Sequence, residues 1–400
     1  MVQNHTRVIR ARWIVPVSTS PIENGWVRVG NGRIHEVGSG RPPSDAVDFG
    51  DVAILPRLIN AHTHLEFSDL KNPVGTRGIP FTDWIKLVIE KRRTVDPDAK
   101  DRSISDGAEE LWESGTIVAG EITTPPQSYA HLSSELDIIS FAEILGLQDE
   151  RFSERFEVGS KHCELHPLAG FSPHAPYSIS AEALEKVLQH ARLLRRSVAM
   201  HVAESPEERE LLSSGDGPMA DLLETIGINT KPYFPWSTEP FDRLIQMLGT
   251  LPTAFLIHGN DLQQNEIEKL AKHKQITVVY CPRTHYFFDF PLHPVHIMQR
   301  QGVRVVLGTD SRASNPDLNL WNEVRFLLNE RQDIEASQVL KMATLLPAEA
   351  LSNAFPQLAP CGAIAAGFRD SLGLVSTTAV TQEQLYRDLS SNDYRNLQLN

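Results

Sequence analysis

The sequence predicts a (β/α)₈ barrel (a TIM barrel, α/β class) with a small β-sandwich built from both chain ends. Three observations predict it. From about residue 56 onward, short β-branched runs alternate with longer helical stretches, the pattern of a parallel sheet with crossover helices. Eight such runs can be counted, over a length that suits a barrel with modest insertions. Several of them end in a histidine or a carboxylate, at the end of the strand where barrel enzymes keep their chemistry.

The eight runs are Ala53–His64, Gly115–Ile122, Ile138–Leu145, Pro167–His174, Ser197–Ala203, Thr253–Gly259, Ile276–Cys281 and Val303–Asp310. Helical patterns fall between them at Phe81–Arg93, Ala181–Leu194 and Pro206–Ile226. No GxGxxG or GxxxxGK[ST] follows any run, so an open nucleotide-binding sheet is the weaker fold. Residues 205–252 are long for one crossover and read as a helix followed by a loop, either one able to cover a site or a plain surface excursion. Before the barrel, Val27, Val29, Ile34 and Val37 flank Asn31-Gly32, a two-residue hairpin signal. After it, Gly362–Val380 returns to strand-like runs, and Ser390–Asn400 reads as a frayed polar end. Residues 1–55 with 350–400 are therefore assigned to the sandwich and 56–349 to the barrel.

A net charge of −13 argues against binding nucleic acid or an anionic membrane surface. The basic clusters Lys91-Arg92-Arg93 and Arg195-Arg196 read as solvated helix faces. Cys163, Cys281 and Cys361 form no CxxC pair, which excludes a thiolate zinc cluster and fits a reducing, cytoplasmic compartment. No signal-peptide pattern opens the chain and no apolar run approaches the ~18 residues of a membrane span. The oligomeric state, a homo-oligomer included, stays open.

The chemistry concentrates in Asn60-Ala61-His62-Thr63-His64. Alternate residues of a strand share a face, so His62 and His64 point together into the barrel and start a metal site. His201, His258 and Asp310 each end an apolar run, and Glu204 follows His201 by three residues. Three histidines and one carboxylate suit a single divalent ion, Zn²⁺ first and Fe²⁺ second, which lowers the pKa of a bound water from 15.7 to about 7. His64-Leu65-Glu66 imitates the HxE of the small cytidine-type zinc deaminases, but no PCxxC accompanies it. Glu66 is kept only as a pocket-lining residue. In the loop after the seventh strand, His293 and His296 read as surface or packing residues, and His285 as a substrate contact or a packing residue.

These motifs resemble the amidohydrolase superfamily, in its cytosine deaminase, S-adenosylhomocysteine deaminase and chlorohydrolase branch. The matching pieces are Asn60–His64, Ser172-Pro-His-Ala-Pro-Tyr-Ser178, His201-Val-Ala-Glu204, His258-Gly-Asn260 and Leu307–Asn315, in that family's order. The resemblance implies one metal held by His62, His64, His201 and Asp310. It implies that His258 hydrogen-bonds the water, that Glu204 moves a proton to a ring nitrogen, that Asp310 acts as base, and that His174 touches substrate. A shorter resemblance, through His64-Leu-Glu-Phe-Ser68, Gly78, Phe81 and Trp84, points to the aminodeoxyfutalosine deaminases of the alternative menaquinone pathway. It implies a small heterocyclic substrate, an adenine nucleoside derivative, with Trp84 in the pocket. The chain departs from the branch at His285, where many relatives carry Asn, and at Phe368–Ser371. Two further readings compete. One keeps the site for dechlorination, cyclic-amide hydrolysis or guanine- and cytosine-type bases. The other is a dead scaffold, which an intact ligand set disfavours.

Overall fold

The computed structural model describes residues 6–92, 97–130, 132 and 135–397. Eight strands form one sheet in sequence order: β1 (Leu58–Thr63), β2 (Thr116–Thr123), β3 (Asp137–Ile144), β4 (Ala169–Pro173), β5 (Val198–Val202), β6 (Ala254–His258), β7 (Ile276–Tyr280) and β8 (Arg304–Leu307). The pairings from β3 to β8 are parallel. Their residues are buried on both faces, as expected when helices cover a parallel sheet. The barrel closes at the strand tips, where Thr63 bridges Asp310 and the N–H groups of Thr309 and Asp310 donate to the His62 carbonyl at 3.0 and 3.1 Å. Gly308 permits this approach, since a Cβ there would lie 2.8 Å from the His62 Cβ.

Each of the eight predicted runs overlaps a barrel strand, with β2 and β3 each extending one residue beyond the predicted run. The first is two strands rather than one: Val52–Pro56 pairs with Leu372–Ser376 at the chain ends, and β1 starts after Arg57. Pro56 has no N–H with which to continue a ladder, and the break falls there. The helix α1 spans Phe81–Arg92, and predicted residue 93 lies outside the described residues. Then follow α2 (Pro97–Glu113), α3 (Asp149–Leu165) and α4 (Ala181–Leu194). Ser180 caps α4 by accepting the Ala183 N–H at 3.1 Å.

The expectation of one helix and a loop after residue 205 is corrected to three helices: α5 (Pro206–Ser214), α6 (Pro218–Thr225) and α7 (Pro240–Leu248). Gly215 and Gly217 break the first pattern at φ 81° and 94°, left-handed values that end a helix, and Pro218 starts the next.

The end segments form two sheets. One runs Arg33–Gly38, Trp26–Gly30, Arg7–Arg10, Val47–Asp48; the other runs Tyr394–Asn396, Leu372–Ser376, Val52–Pro56, Trp13–Ile14, Ile22–Glu23. Asn31 and Gly32, at φ 53° and 73°, make the expected hairpin turn. Ile9, Ile14, Val27, Ile34, Ile54 and Ile364 pack into one apolar core. The expected frayed end instead holds the last residues of a helix, Gln382–Ser391, and the strand Tyr394–Asn396.

By internal packing the chain divides into two units. One comprises Met1–Asn60, Glu109–Val118 and Asn319–Asn400; the other comprises Ala61–Ala108 and Ala119–Leu318 and holds every site residue discussed below. Among the described residues no helix is long and apolar enough to cross a membrane.

Candidate active site

Five polar side chains converge at the strand tips. The ligating atoms of His62, His64 and His201 lie within 4.8 Å of one another, and so do those of His62, His258 and Asp310. The Nε2 atoms of His62 and His64 are each 3.6 Å from Asp310 Oδ1. Burial is the main force that lowers the pKa values of His62, His64, His201 and His258, with neighbouring imidazoles adding to it at His62, His64 and His258. Neutral imidazoles are the ligating form. The tautomer of His201 is fixed as well. Its Nδ1 sits 2.9 Å from the His174 carbonyl, which can only accept, so the proton is on Nδ1 and Nε2 faces the cluster. Neutral nitrogens beside one carboxylate fit a divalent zinc- or iron-type ion.

The backbone aims these groups. His258 and Asp310 have φ values of 72° and 59°, and Ala203, just before Glu204, has 55°. Such angles are costly for non-glycine residues, and here surrounding side chains hold each turn. Ser311–Asn315 folds round Asp310: the Ser311 N–H donates to Oδ1 at 2.7 Å, Ser314 Oγ donates to Oδ2 at 3.2 Å, and the Asn315 amide donates to the Thr309 carbonyl at 2.7 Å. Glu208 is fully buried and accepts the Ala203 and Glu204 N–H groups at 2.8 and 3.0 Å. The Asn260 amide donates to the Glu204 carbonyl at 3.0 Å. Glu204 Oε1 thereby comes to 3.4 Å from His258 Nε2. Burial, then Asp310 and Glu208, raise the Glu204 pKa well above the ordinary value, favouring its protonated form.

Of the surface or packing roles expected for His293, it takes the packing one: it is fully buried, stacks on Tyr280 at 3.9 Å, and its Nε2 lies 3.0 Å from the His258 carbonyl. His285 packs against Tyr280, His293 and Phe290 rather than among the cavity-lining side chains. His296 is half-buried.

On the opposite flank Glu66 is locked. Its Oε1 meets Lys100 Nζ at 3.0 Å and accepts the Thr124 N–H at 2.9 Å, while Arg92 reaches Oε2 at 2.5 Å. Arg92 is therefore no solvated helix face, although Arg93 beside it lies outside the described residues. Arg196 likewise spends its guanidinium on the carbonyls of Cys163, Pro167 and Ala169. Next to Glu66, the fully buried Glu121 accepts the Leu65 N–H at 2.9 Å, and burial is the main cause raising its pKa well above normal.

A cavity of about 810 Å³ opens onto the cluster. His64, His201, Glu204, His258 and Asp310 line its floor, and the expected Glu66, Trp84 and His174 line its walls. Trp84 is oriented by its Nε1–H, which donates to the Ala313 carbonyl at 3.0 Å. His174 Nδ1 lies 2.8 Å from Ser178 Oγ, and burial brings its pKa down to about 3. Sequence reasoning did not single out Tyr177, Glu143, Arg151 and Arg155, which also line the cavity, nor Met219, Leu222 and Leu223 of α6.

A (β/α)₈ barrel that gathers neutral imidazoles and a carboxylate beneath a deep cavity falls among the barrel enzymes whose chemistry sits at the strand tips. Within that class the chain belongs to the amidohydrolase family, whose model matches residues 53–380. It is similar to the aminodeoxyfutalosine deaminase of Deinococcus radiodurans, 28% identical over 71% of this chain and 70% of that one. It is equally similar, at 28%, to the 5-methylthioadenosine/S-adenosylhomocysteine deaminase of Pyrococcus furiosus, over 81% and 77%. Among solved structures, the Helicobacter pylori aminofutalosine deaminase in complex with methylthio-coformycin shares the fold, with TM-score 0.82, 22% identity and 97% of each chain covered.

Proposed function

We propose that this protein hydrolytically deaminates the adenine ring of a nucleoside derivative, in the manner of the aminodeoxyfutalosine and methylthioadenosine deaminases it resembles. The observation that carries the reading is Glu204. It is a carboxyl biased toward its protonated form, set against His258 and beside Asp310, near the imidazole cluster without belonging to it.

His62, His64, His201 and Asp310 would hold one divalent ion. Bound there, such an ion supplies Lewis acidity and makes water nucleophilic at neutral pH. The chain's own groups then divide the proton work. Glu204 gives its proton to the ring nitrogen next to the amino-bearing carbon, which renders that carbon electrophilic. His258 hydrogen-bonds the attacking oxygen and, through its 3.4 Å approach to Glu204, keeps both groups on one side of the ring. Asp310 takes one proton from the water and passes it to the amine, which leaves as ammonia, and the oxygen's remaining proton returns to Glu204 as the carbonyl forms. Trp84 and His174 position the substrate from the cavity walls, and the α6 side chains keep water from its far side. Ring-nitrogen protonation assists loss of an amine or a chloride from an aromatic N-heterocycle but not opening of a cyclic amide, so Glu204 favours a heteroaromatic substrate, and the similarity to deaminases favours the amine as leaving group.

The test follows ammonia release from adenine, guanine, cytosine and their nucleosides, with chloride release from a chloro-triazine and ring opening of a cyclic amide as controls. Turnover confined to adenine nucleosides supports the reading. Turnover of only the chloro or amide compounds overturns it.

A further inference from the structure

We infer that Glu143, at the end of β3, forms a hydroxyl-binding subsite that takes the vicinal diol of the substrate's sugar. The inference rests on the nucleoside reading above and adds a recognition group to it.

The side chain's direction follows from its neighbours. Gly159 of α3 approaches Ile144 and Ala142 closely enough that a Cβ there would meet both, at 3.1 and 3.7 Å, so these two residues face the helix layer. Strand alternation then turns Glu143 inward, where it lines the cavity with His64, His174 and Glu204. Its register partner is Ser172 of β4, two residues before His174. Glu143 therefore stands on the wall shared by β3 and β4, one step away from the imidazole cluster.

Its bonding sets it apart from the other carboxylates here. Glu66 is saturated by Lys100, Arg92 and the Thr124 N–H. Glu208 holds two backbone N–H groups, and Asp310 accepts from Ser311 and Ser314. Glu143 accepts no hydrogen bond and makes no ion pair with any described residue. Arg155 and Arg92 are near enough to favour its charge, yet burial and the charge on Glu66 dominate and bring its pKa up to about 7. Arg92, Arg151 and Arg155 also line the cavity, but none comes within hydrogen-bonding distance of Glu143, so its half-buried oxygens are left for the cavity's occupant to satisfy. The group it suits is a donor pair spaced for two carboxylate oxygens. A substrate whose adenine lies between Glu204 and Asp310 presents its sugar hydroxyls next along the molecule. A carboxylate at this point repels a second anion, so a phosphate on the sugar diol is disfavoured.

The experiment compares 5′-methylthioadenosine with its 2′,3′-dideoxy counterpart in the wild type and in Glu143→Gln, with the affinity for a coformycin nucleoside measured alongside. The wild type should favour the diol substrate by about tenfold or more in kcat/KM, mostly through KM, the scale of hydrogen bonds to a charged group. Glu143→Gln should bring that ratio to within about threefold of unity. It should do so by losing the diol substrate while keeping the dideoxy one, with the coformycin nucleoside weakened in parallel. A ratio that survives the substitution, or a wild type indifferent to the diol, overturns the subsite while leaving adenine deamination standing. A wild type that neither binds nor turns over any adenine nucleoside overturns both together.

Discussion

At the tips of β5, β6 and β8, Glu204 and Asp310 face neutral imidazoles, and the bonds that hold them come from backbone turns and short polar side chains. At the tips of β1 and β2, Glu66 meets two full cations, Lys100 and Arg92, besides a backbone N–H. Both flanks bury carboxylates against one cavity, and the partners decide what each carboxylate can do. Paired with fixed cations, a carboxylate is a brace whose removal leaves charge uncompensated. Set against neutral groups whose pKa values burial has moved, it remains able to exchange a proton. On the proposed reading, proton chemistry belongs to the β5–β8 flank, while Glu66, which lines the cavity as motif reading expects, is braced by two cations.

Breaking the reactive flank should have the largest effects. Asp310→Asn removes a ligand and a proton acceptor together and should lower turnover by at least about 10⁴-fold with loss of bound metal, read by steady-state kinetics and elemental analysis. Glu204→Gln should cost about 10²–10⁴-fold in kcat while metal content stays at the wild-type level. Full activity in that variant would move the proton shuttle elsewhere. Glu208→Gln leaves the reacting groups intact but replaces one of the two accepting oxygens, so an NH2 faces either the Ala203 or the Glu204 N–H. It should lower kcat about tenfold with little change in KM, because a misaimed Glu204 weakens chemistry more than binding.

The smallest expected effect is on the structural flank and concerns stability. The pKa of Glu121 is raised in the folded chain above its unfolded value of about 4.3, so its contribution is complete below that value and declines as pH rises. Glu121→Gln should therefore flatten the fall of melting temperature as pH rises above about 4.3 without changing kcat, by no more than the ~1.4 kcal/mol per pH unit that one proton allows. An unchanged pH profile of melting would place the stability loss on other groups.

Much of this was legible in the order of residues. HxH on a strand fixes two ligands by alternation, and a histidine or aspartate closing an apolar run marks a barrel tip, so His62, His64, His201, His258 and Asp310 could be grouped before any coordinates. The braces could not. Arg92 ends α1 and Lys100 lies near the start of α2, and nothing local ties either to Glu66. Glu208 reads as an ordinary acidic residue in a helix's first turn, and only the left-handed turn at Ala203 brings two N–H groups to it. Glu143 hides inside an otherwise apolar strand. The helix break at Gly215–Gly217 was visible as glycine but was outweighed by the apolar spacing on either side.

On the proposed mechanism one ion, held by His62, His64, His201 and Asp310, is required for deamination. The most direct test of that requirement strips the protein with a chelator and restores Zn²⁺ or Fe²⁺ stepwise while ammonia release from an adenine nucleoside is followed. Activity should rise linearly and saturate at one ion per chain. Full activity in the stripped protein, or a plateau reached only at two ions per chain, would contradict it.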